Sequence, residues 1–216
     1  MNTPNINAVI FDMDGVLLDT ETISDRAWII VQNELGISDD IEIINKCRGT
    51  NKHDTIQILK EFYGNNFDAE LFLNKASKVF HQIEEEEGIP LMPYVKEILE
   101  YLKPKYKLAL ASSTKSETVK RQLKTAGLLD YFETLTTGEM VVHSKPAPDI
   151  YLMACKSIGV EPKNCFAVED SPNGIKSSFA AGINTIMIPD KIAPDPELSA
   201  MCKHVFSSLK SLEDIL

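Results

Sequence analysis

Short apolar segments alternate with helical patterns over much of the chain. Continuous apolar segments bounded by polar or turn residues are typical of strands buried on both faces of a parallel sheet. Between the later segments, apolar residues recur at helical spacing, for example Tyr151, Ala154 and Ile158 at i, i+3 and i+7. This alternation predicts a doubly wound α/β sheet. The predicted strands are Ala8–Phe11, Leu108–Ala111, Leu135–Thr137, Phe166–Val168 and Thr185–Ile188.

Residues 19–88 interrupt this alternation. They show no convincing strand, and a connection of this length is too long for a simple crossover. The exit from the segment, Gly88 to Pro90, contains residues that break regular structure and suit a hinge. We therefore predict a helical domain at 19–88 inserted into an α/β core made of residues 1–18 and 89–216. Its apolar stripes are Trp28, Val31 and Leu35, then Ile56, Leu59 and Tyr63, then Phe72, Ala76, Val79 and Ile83.

The charge of the chain restricts its partners. The 216 residues include 22 Lys and Arg against 32 Asp and Glu, a net charge of −10. Nucleic acid and anionic membranes select for clustered basic residues, so neither is expected as a partner. Residues 19–88 alone hold 15 acidic and 7 basic residues, so most of the negative charge belongs to the insert. A small anionic substrate stays compatible with this distribution.

Cysteine usage and hydropathy indicate the compartment. The four cysteines show no CxxC spacing and no Cys/His metal pattern, which favours a reducing environment. No apolar run approaches the ~20 residues that span a bilayer, and the first residues lack the features of a signal peptide. We expect a cytoplasmic protein, and nothing in the sequence requires an oligomer.

Two aspartates follow the first predicted strand. Asp12 and Asp14 stand two residues apart, with Gly15 next. Side chains at this spacing on a strand point the same way, so both carboxylates are expected beyond the carboxyl end of the strand, where open α/β sheets bind ligands. Asp and Gly are also ordinary turn residues. Taken alone, the motif fits a strand-ending turn equally well.

A second acidic pair, Glu169 and Asp170, ends a later strand. If both strands belong to one parallel sheet, up to four carboxylates meet at one edge, which is unfavourable unless a cation lies among them. Oxygen ligands without His or Cys suit Mg²⁺. Acidic residues are also favoured before a helix N-terminus such as the one expected at Pro172. The two explanations are compatible.

Two further segments offer groups that bind phosphate. The strand that ends at Ala111 is followed by Ser112, Ser113 and Thr114 before a helix, a place where hydroxyl and backbone N–H groups bind anions or simply cap the helix. Lys145 precedes two prolines in the segment KPAP. The prolines stiffen the backbone and hold the lysine in a defined direction, although most lysines are surface residues without such a role.

These motifs together resemble the haloacid dehalogenase superfamily. In order, they are DxDGV, an apolar strand ending in Ser, Lys-Pro-x-Pro, and an apolar strand ending in Glu-Asp. Each is common alone, and four in this order over nearly the whole chain are specific. The chain looks most like the phosphatase and β-phosphoglucomutase branch. The resemblance implies a Rossmann-like parallel sheet with helices on both faces and a small α-helical cap domain after the first strand.

The resemblance also implies roles for single residues. Asp12 matches the nucleophile that becomes an aspartyl-phosphate, and Asp14 matches the general acid and base. Lys145, the Ser112 hydroxyl and the Ser113 N–H match the groups that hold the phosphoryl oxygens. Mg²⁺ would be bound by Asp12, the Asp14 carbonyl and Asp170, with Glu169 either a ligand or one step removed.

Two positions narrow the reaction. Dehalogenases and phosphonatases of this superfamily lack an aspartate at the position of Asp14, so its presence favours phosphoryl chemistry on oxygen. β-Phosphoglucomutases carry a histidine four residues after the threonine that matches Thr20. Here that position is Ser24, which favours hydrolysis over the mutase reaction.

Substrate choice in capped members resides in the insert. The segment RGTNKHD resembles the specificity loop of the cap, so Arg48 and Lys52 are candidates for contacts with a second phosphate or a sugar hydroxyl. An exposed basic pair at a helix start explains the same residues. Thr20 and Ser24 would face the substrate from the hinge side.

The sequence thus predicts a Mg²⁺-dependent phosphatase that hydrolyses a small phosphate monoester, such as a sugar phosphate, through an aspartyl-phosphate. The first alternative is a phosphosugar mutase of the β-phosphoglucomutase type. A more distant alternative is a receiver-like signalling module that accepts a phosphoryl group without metabolic turnover. Receivers are shorter and have no helical cap, which argues against that alternative.

Overall fold

A six-stranded parallel sheet organises the computed structural model, which describes residues 6–38, 40–48, 50 and 52–216. The strand order is β3-β2-β1-β4-β5-β6, and helices surround the sheet. This confirms the predicted fold class. In chain order, the strands are β1 (Ala8–Phe11), β2 (Lys107–Ser112), β3 (Thr134–Thr137), β4 (Cys165–Glu169), β5 (Asn184–Met187) and β6 (His204–Val205).

The strands differ from the prediction mainly at their ends. β2 and β4 extend to Ser112 and Glu169, because backbone pairing continues where the apolar pattern has already stopped. β6 was not predicted, since a strand of two residues has no detectable period. The α-helices among the described residues are α1 (Thr20–Glu34), α2 (Ile41–Cys47), α3 (Lys52–Tyr63), α4 (Ala69–Glu87), α5 (Val95–Leu102), α6 (Ser116–Ala126), α7 (Asp149–Ile158), α8 (Pro172–Ala180) and α9 (Pro196–Met201).

The chain divides into two compact units. One unit, here called the sheet unit, comprises Met1–Asp19 and Pro90–Leu216; the other, the helical unit, comprises Thr20–Ile89. In the helical unit α1 packs along α4, and the Trp28 ring meets the edge of Phe72 at a centroid distance of 5.0 Å. The helical unit therefore has an apolar core of its own. No described helix is both long and apolar enough to cross a membrane.

The register of the sheet decides which side chains share a face. Ile10 on β1 pairs with Ala109 on β2 and with Ala167 on β4. Two residues further along each strand stand Asp12, Ala111 and Glu169, and side chains alternate between faces, so these share the face of Ile10. Helix α7 packs on that face, where small alanines allow a close approach. The N-terminal end of α7, which comes shortly after Lys145 in the chain, therefore lies beside the edge of the sheet that carries Asp12 and Glu169, here called the acidic edge.

Candidate active site

A buried lysine joins two acidic side chains at the carboxyl end of β1. The Lys145 ammonium lies 2.6 Å from Asp12 Oδ1 and 2.7 Å from Glu169 Oε1. It also donates to the Ala111 carbonyl at 3.1 Å. The Asp12 amide pairs with the Val168 carbonyl at 3.0 Å, so Asp12 continues the ladder between β1 and β4. The sheet and Lys145 together hold the Asp12 carboxylate in one place.

Glu169 is enclosed by donors on both oxygens. Its side chain is 0 % exposed; Oε1 also accepts a hydrogen bond of 2.6 Å from the Tyr151 hydroxyl, and Oε2 accepts one of 3.3 Å from Ser171. A Cβ on Gly174 would overlap this carboxylate, so the absence of a side chain there makes room for it. A buried carboxylate needs such donors, because burial without them is strongly unfavourable.

Asp170 brings a third carboxylate to the same edge. Its side chain lies against Gly15, where a Cβ would overlap it, and Gly15 has a φ of +77°, a conformation that glycine adopts readily. One carboxylate oxygen from each of Asp12, Glu169 and Asp170 lies within 4.8 Å of the others. These acids exceed the single ammonium of Lys145, and an oxygen-only donor set of this size fits Mg²⁺. The residues present therefore fit the predicted ion.

Burial changes the acid-base properties of the cluster. Burial is the largest cause that raises the pKa of Asp12 to about 7; Lys145 lowers it, while the charges of Glu169 and Asp14 raise it further. Burial alone would lower the pKa of Lys145, but Asp12 and Glu169 raise it overall, so the ammonium stays protonated. Burial and the Glu169 charge raise the pKa of Tyr151 well above its usual value, so its hydroxyl keeps its proton. Burial thus brings the pKa of Asp12 close to neutral pH.

The segment after β2 holds Asp14. The Thr114 hydroxyl donates to Asp14 Oδ2 at 3.1 Å, and the Thr114 amide donates to Ser112 Oγ at the same distance. Ser112 is fully buried, whereas Ser113 is exposed. A Cβ on Gly138 would overlap the Ser113 carbonyl, so β3 ends close against this segment. The structure therefore links the end of β2 to Asp14 through Thr114.

The predicted substrate residues of the insert lie in the helical unit. Thr20 is buried at the start of α1, and Lys52 is exposed at the start of α3. Ser24 lines a cavity of about 190 Å³ together with residues of α1 and α4. Arg48 is engaged within the unit: its guanidinium donates to Glu21 at 2.6 Å and to both oxygens of Asp25 at 2.7 Å. These contacts bind the end of α2 to α1, and the predicted contact of Arg48 with substrate stays a prediction.

Two residues of the site were not recognised from the sequence as functional. Tyr151 was assigned only to the apolar stripe of α7, and Thr114 only to a run of hydroxyl residues. A tyrosine on an otherwise apolar face is a usable signal, because a buried hydroxyl requires a partner. Thr114 offers no comparable signal, because its bond to Asp14 joins residues 100 positions apart.

The parallel sheet and the cluster of Asp12, Glu169 and Asp170 define a class of α/β enzymes whose reactive carboxylates lie at the carboxyl edge of the sheet. The sequence model of the haloacid dehalogenase-like hydrolases matches residues 9–188, and the chain belongs to this family.

Its relatives include named phosphatases. A phosphorylated carbohydrates phosphatase of Thermotoga maritima is 33% identical over 84% of this chain and 84% of the relative. Hexitol phosphatase B of Escherichia coli is 32% identical over 98% of this chain and 97% of the relative. Among solved structures, a HAD family hydrolase from Deinococcus radiodurans with bound phosphate and sodium is similar with a TM-score of 0.82 and 25% identity, covering 99% of this chain and 96% of that chain.

Proposed function

We propose that the chain is a Mg²⁺-dependent phosphatase that hydrolyses small phosphate monoesters, with sugar phosphates as the substrate class. The observation that carries this proposal is the Asp12 carboxylate, fixed by the sheet and by a buried ammonium at 2.6 Å among further acids. The relatives named for phosphorylated carbohydrates and hexitols support the substrate class.

In the first step, an oxygen of Asp12 attacks the phosphorus, and the bond from phosphorus to the ester oxygen breaks. A carboxylate approaching an anionic ester needs nearby positive charge, which the Lys145 ammonium supplies. Lys145 contacts Asp12 directly in the structure. The Ser112 hydroxyl and the Ser113 N–H bind the other phosphoryl oxygens in this proposal.

Asp14 moves the proton. As a carboxylic acid it protonates the departing alkoxide, and as a carboxylate it then takes a proton from water. The activated water attacks phosphorus, the bond to Asp12 breaks, and inorganic phosphate and the free carboxylate result. The bond from the Thr114 hydroxyl to Asp14 Oδ2 holds this side chain beside the phosphate-binding segment.

Mg²⁺ would neutralise charge on the phosphoryl group and on the carboxylates. We assign its protein ligands to Asp12, Asp170 and the backbone carbonyl of Asp14. Glu169 is either a further ligand, through Oε2, or one step removed from the ion, because Lys145 and Tyr151 already occupy its Oε1. In the helical unit, Thr20, Ser24, Arg48 and Lys52 are proposed to select the substrate.

The test is phosphate release from a panel of small phosphate esters in the presence of Mg²⁺. We expect turnover that EDTA abolishes and that Asp12→Asn and Asp14→Asn both lack. Asp130→Asn, which changes an exposed aspartate of the sheet unit, is the matched control and should keep the parent rate. Hydrolysis by Asp12→Asn at the parent rate would rule out the covalent mechanism.

The same panel addresses the mutase alternative. Ser24 occupies the position at which the mutases carry histidine, so we expect free phosphate as the product. Conversion of β-glucose 1-phosphate to glucose 6-phosphate without phosphate release would instead establish mutase activity.

A further inference from the structure

The proposed reaction does not use the Tyr151 hydroxyl, which lies at the acidic edge. Tyr151 is 0 % exposed on the third position of α7, and its ring belongs to the apolar cluster between α7 and the sheet. A phenylalanine would fill this space equally well. The hydroxyl instead donates a 2.6 Å bond to Glu169 Oε1, the oxygen that also faces the Lys145 ammonium.

We propose that Tyr151 is a positioning residue, which fixes the Glu169 carboxylate so that Lys145 stays directed at Asp12. The inference rests on the proposed function, in which Lys145 supplies the positive charge for phosphoryl transfer.

Lys145 and Tyr151 both donate to the same oxygen, Glu169 Oε1. The Lys145 ammonium lies almost equally far from Asp12, at 2.6 Å, and from Glu169, at 2.7 Å. The side chain of Glu169 is the more deeply buried of the two carboxylates, so an undivided charge there would attract the ammonium strongly. A second donor on Oε1 takes part of that charge. The phenol therefore balances the attraction of Lys145 between the two acids.

The orientation of the Glu169 carboxylate is fixed by donors on both of its oxygens. Opposite Tyr151, the Glu169 carboxylate meets the Ser171 hydroxyl and the backbone at Gly174, where no Cβ intervenes. Donors and backbone thus enclose the group from both sides and prevent rotation about its last bond. The Tyr151 ring adds a direct contact, with the Lys145 ammonium 5.2 Å from its centroid. Tyr151 acts on Lys145 through the ring and, by way of Glu169, through the hydroxyl.

The experiment separates these two contributions with Tyr151→Phe, which keeps the ring and removes only the hydroxyl. The matched control is Tyr131→Phe, which removes a phenol that bonds the exposed Glu100 at 3.3 Å in the same unit. Mutation of residues that hydrogen-bond the ligands of a metal site typically lowers activity by about 10–100-fold, and we apply the same range here. We expect kcat of Tyr151→Phe to fall by this factor, KM to change less than kcat, and Tyr131→Phe to match the parent.

A second readout follows Lys145 itself by NMR of its ammonium group. In the parent, burial and three acceptors should slow exchange of the ammonium protons with water. In Tyr151→Phe the ammonium moves towards Glu169 and loses Asp12 as an acceptor, so exchange should accelerate at an unchanged fold. A purely packing role of the ring does not produce this effect. Unchanged exchange together with a kcat equal to that of Tyr131→Phe would overturn the inference.

Two further outcomes are distinguishable. If the parent releases no phosphate from any ester, the proposed function fails, and faster ammonium exchange in Tyr151→Phe still supports the link from Tyr151 to Lys145. If Tyr151→Phe does not fold, the parent is titrated with inorganic phosphate instead. The hydroxyl proton of Tyr151 and the ammonium nitrogen of Lys145 should then shift with the same midpoint. A Tyr151 signal that stays constant while Lys145 shifts would overturn the inference.

Discussion

The sheet unit and the helical unit each contain a buried basic side chain shared by two carboxylates, and the clusters differ in the exposure of the acids. In the sheet unit, Lys145 is 8 % exposed and its partners Asp12 and Glu169 are 9 % and 0 % exposed. The acids there are as inaccessible to solvent as the base. Further carboxylates lie close by, so the charges do not balance within the protein.

In the helical unit, Arg48 is also 8 % exposed, but its partners Glu21 and Asp25 are 38 % and 19 % exposed. Nη2 of Arg48 donates to both oxygens of Asp25, and Nη1 donates to Glu21, so one guanidinium serves both acids. Water reaches the acids and screens the remaining negative charge. This cluster needs no additional cation, and it joins two helices.

The comparison shows that burial of the acids, and not burial of the base, separates the two kinds of cluster. Buried carboxylates that outnumber their cation must bind a proton or a metal ion. Either kind of binding can take part in a reaction. In the sheet unit, burial accordingly raises the pKa of Asp12 to about 7.

The largest expected effect in this comparison comes from removing the base of the sheet unit. Lys145→Met keeps an unbranched side chain, shorter by one atom, and leaves Asp12 and Glu169 without their shared cation. Loss of one preorganised charge at a reacting group lowers kcat by about 10²–10³-fold, and we expect at least that in a phosphate-release assay. Lys176→Met, at an exposed lysine of α8, should keep the parent kcat. A loss of less than tenfold would show that Lys145 acts as an ordinary structural ion pair.

A smaller effect is expected from the dependence of stability on pH. Because the pKa of Asp12 is raised from 3.8 to about 7 in the folded protein, the folded state retains a proton that the unfolded state has lost. The stabilising effect of this proton is complete below about pH 4 and disappears as the pH rises through 7. In EDTA, the melting temperature of the parent should therefore fall over this range relative to that of Asp12→Asn.

The matching measurement adds Mg²⁺. The ion binds the ionised carboxylate, so it should raise the melting temperature of the parent above pH 7 and that of Asp12→Asn much less. If the melting temperatures of the two proteins change in parallel from pH 4 to pH 8 in EDTA, the raised pKa of Asp12 is contradicted.

The smallest effect is expected in the helical unit. Arg48→Met removes charged hydrogen bonds to acids that water can still solvate, and we expect a loss of about 1–3 kcal/mol in the free energy of unfolding. Urea denaturation measures this loss. Arg26→Met is the matched control, because Arg26 pairs with Glu87 where both side chains are about half exposed. A larger loss in the control than in Arg48→Met would show that the Arg48 ion pairs stabilise the helical unit no more than an exposed pair does.

The amount that was predictable differs between the two clusters. The acids of the sheet unit stand directly after predicted strands, and parallel strands end at one edge, so Asp12 and Glu169 were expected near each other. The contact of Arg48 with substrate stays a prediction, and nothing local in the sequence indicates the pairing of Arg48 with Glu21 and Asp25. These acids stand 27 and 23 positions earlier in the chain. Helical periodicity predicts which face is apolar, but not which polar residues meet across helices.

The sequence by itself determined five of the six strands and the acidic residues at the edge of the sheet, because strand and helix periods and strand ends are local properties. Only the tertiary structure decided how Lys145 is shared between Asp12 and Glu169, and that the Tyr151 hydroxyl donates to Glu169. Lys145 and Asp12 are 133 positions apart, and their contact exists only once β1, β4 and α7 are packed together. Burial and Coulomb interaction act through space, so the raised pKa of Asp12 belongs to the assembled fold and not to any segment of the chain.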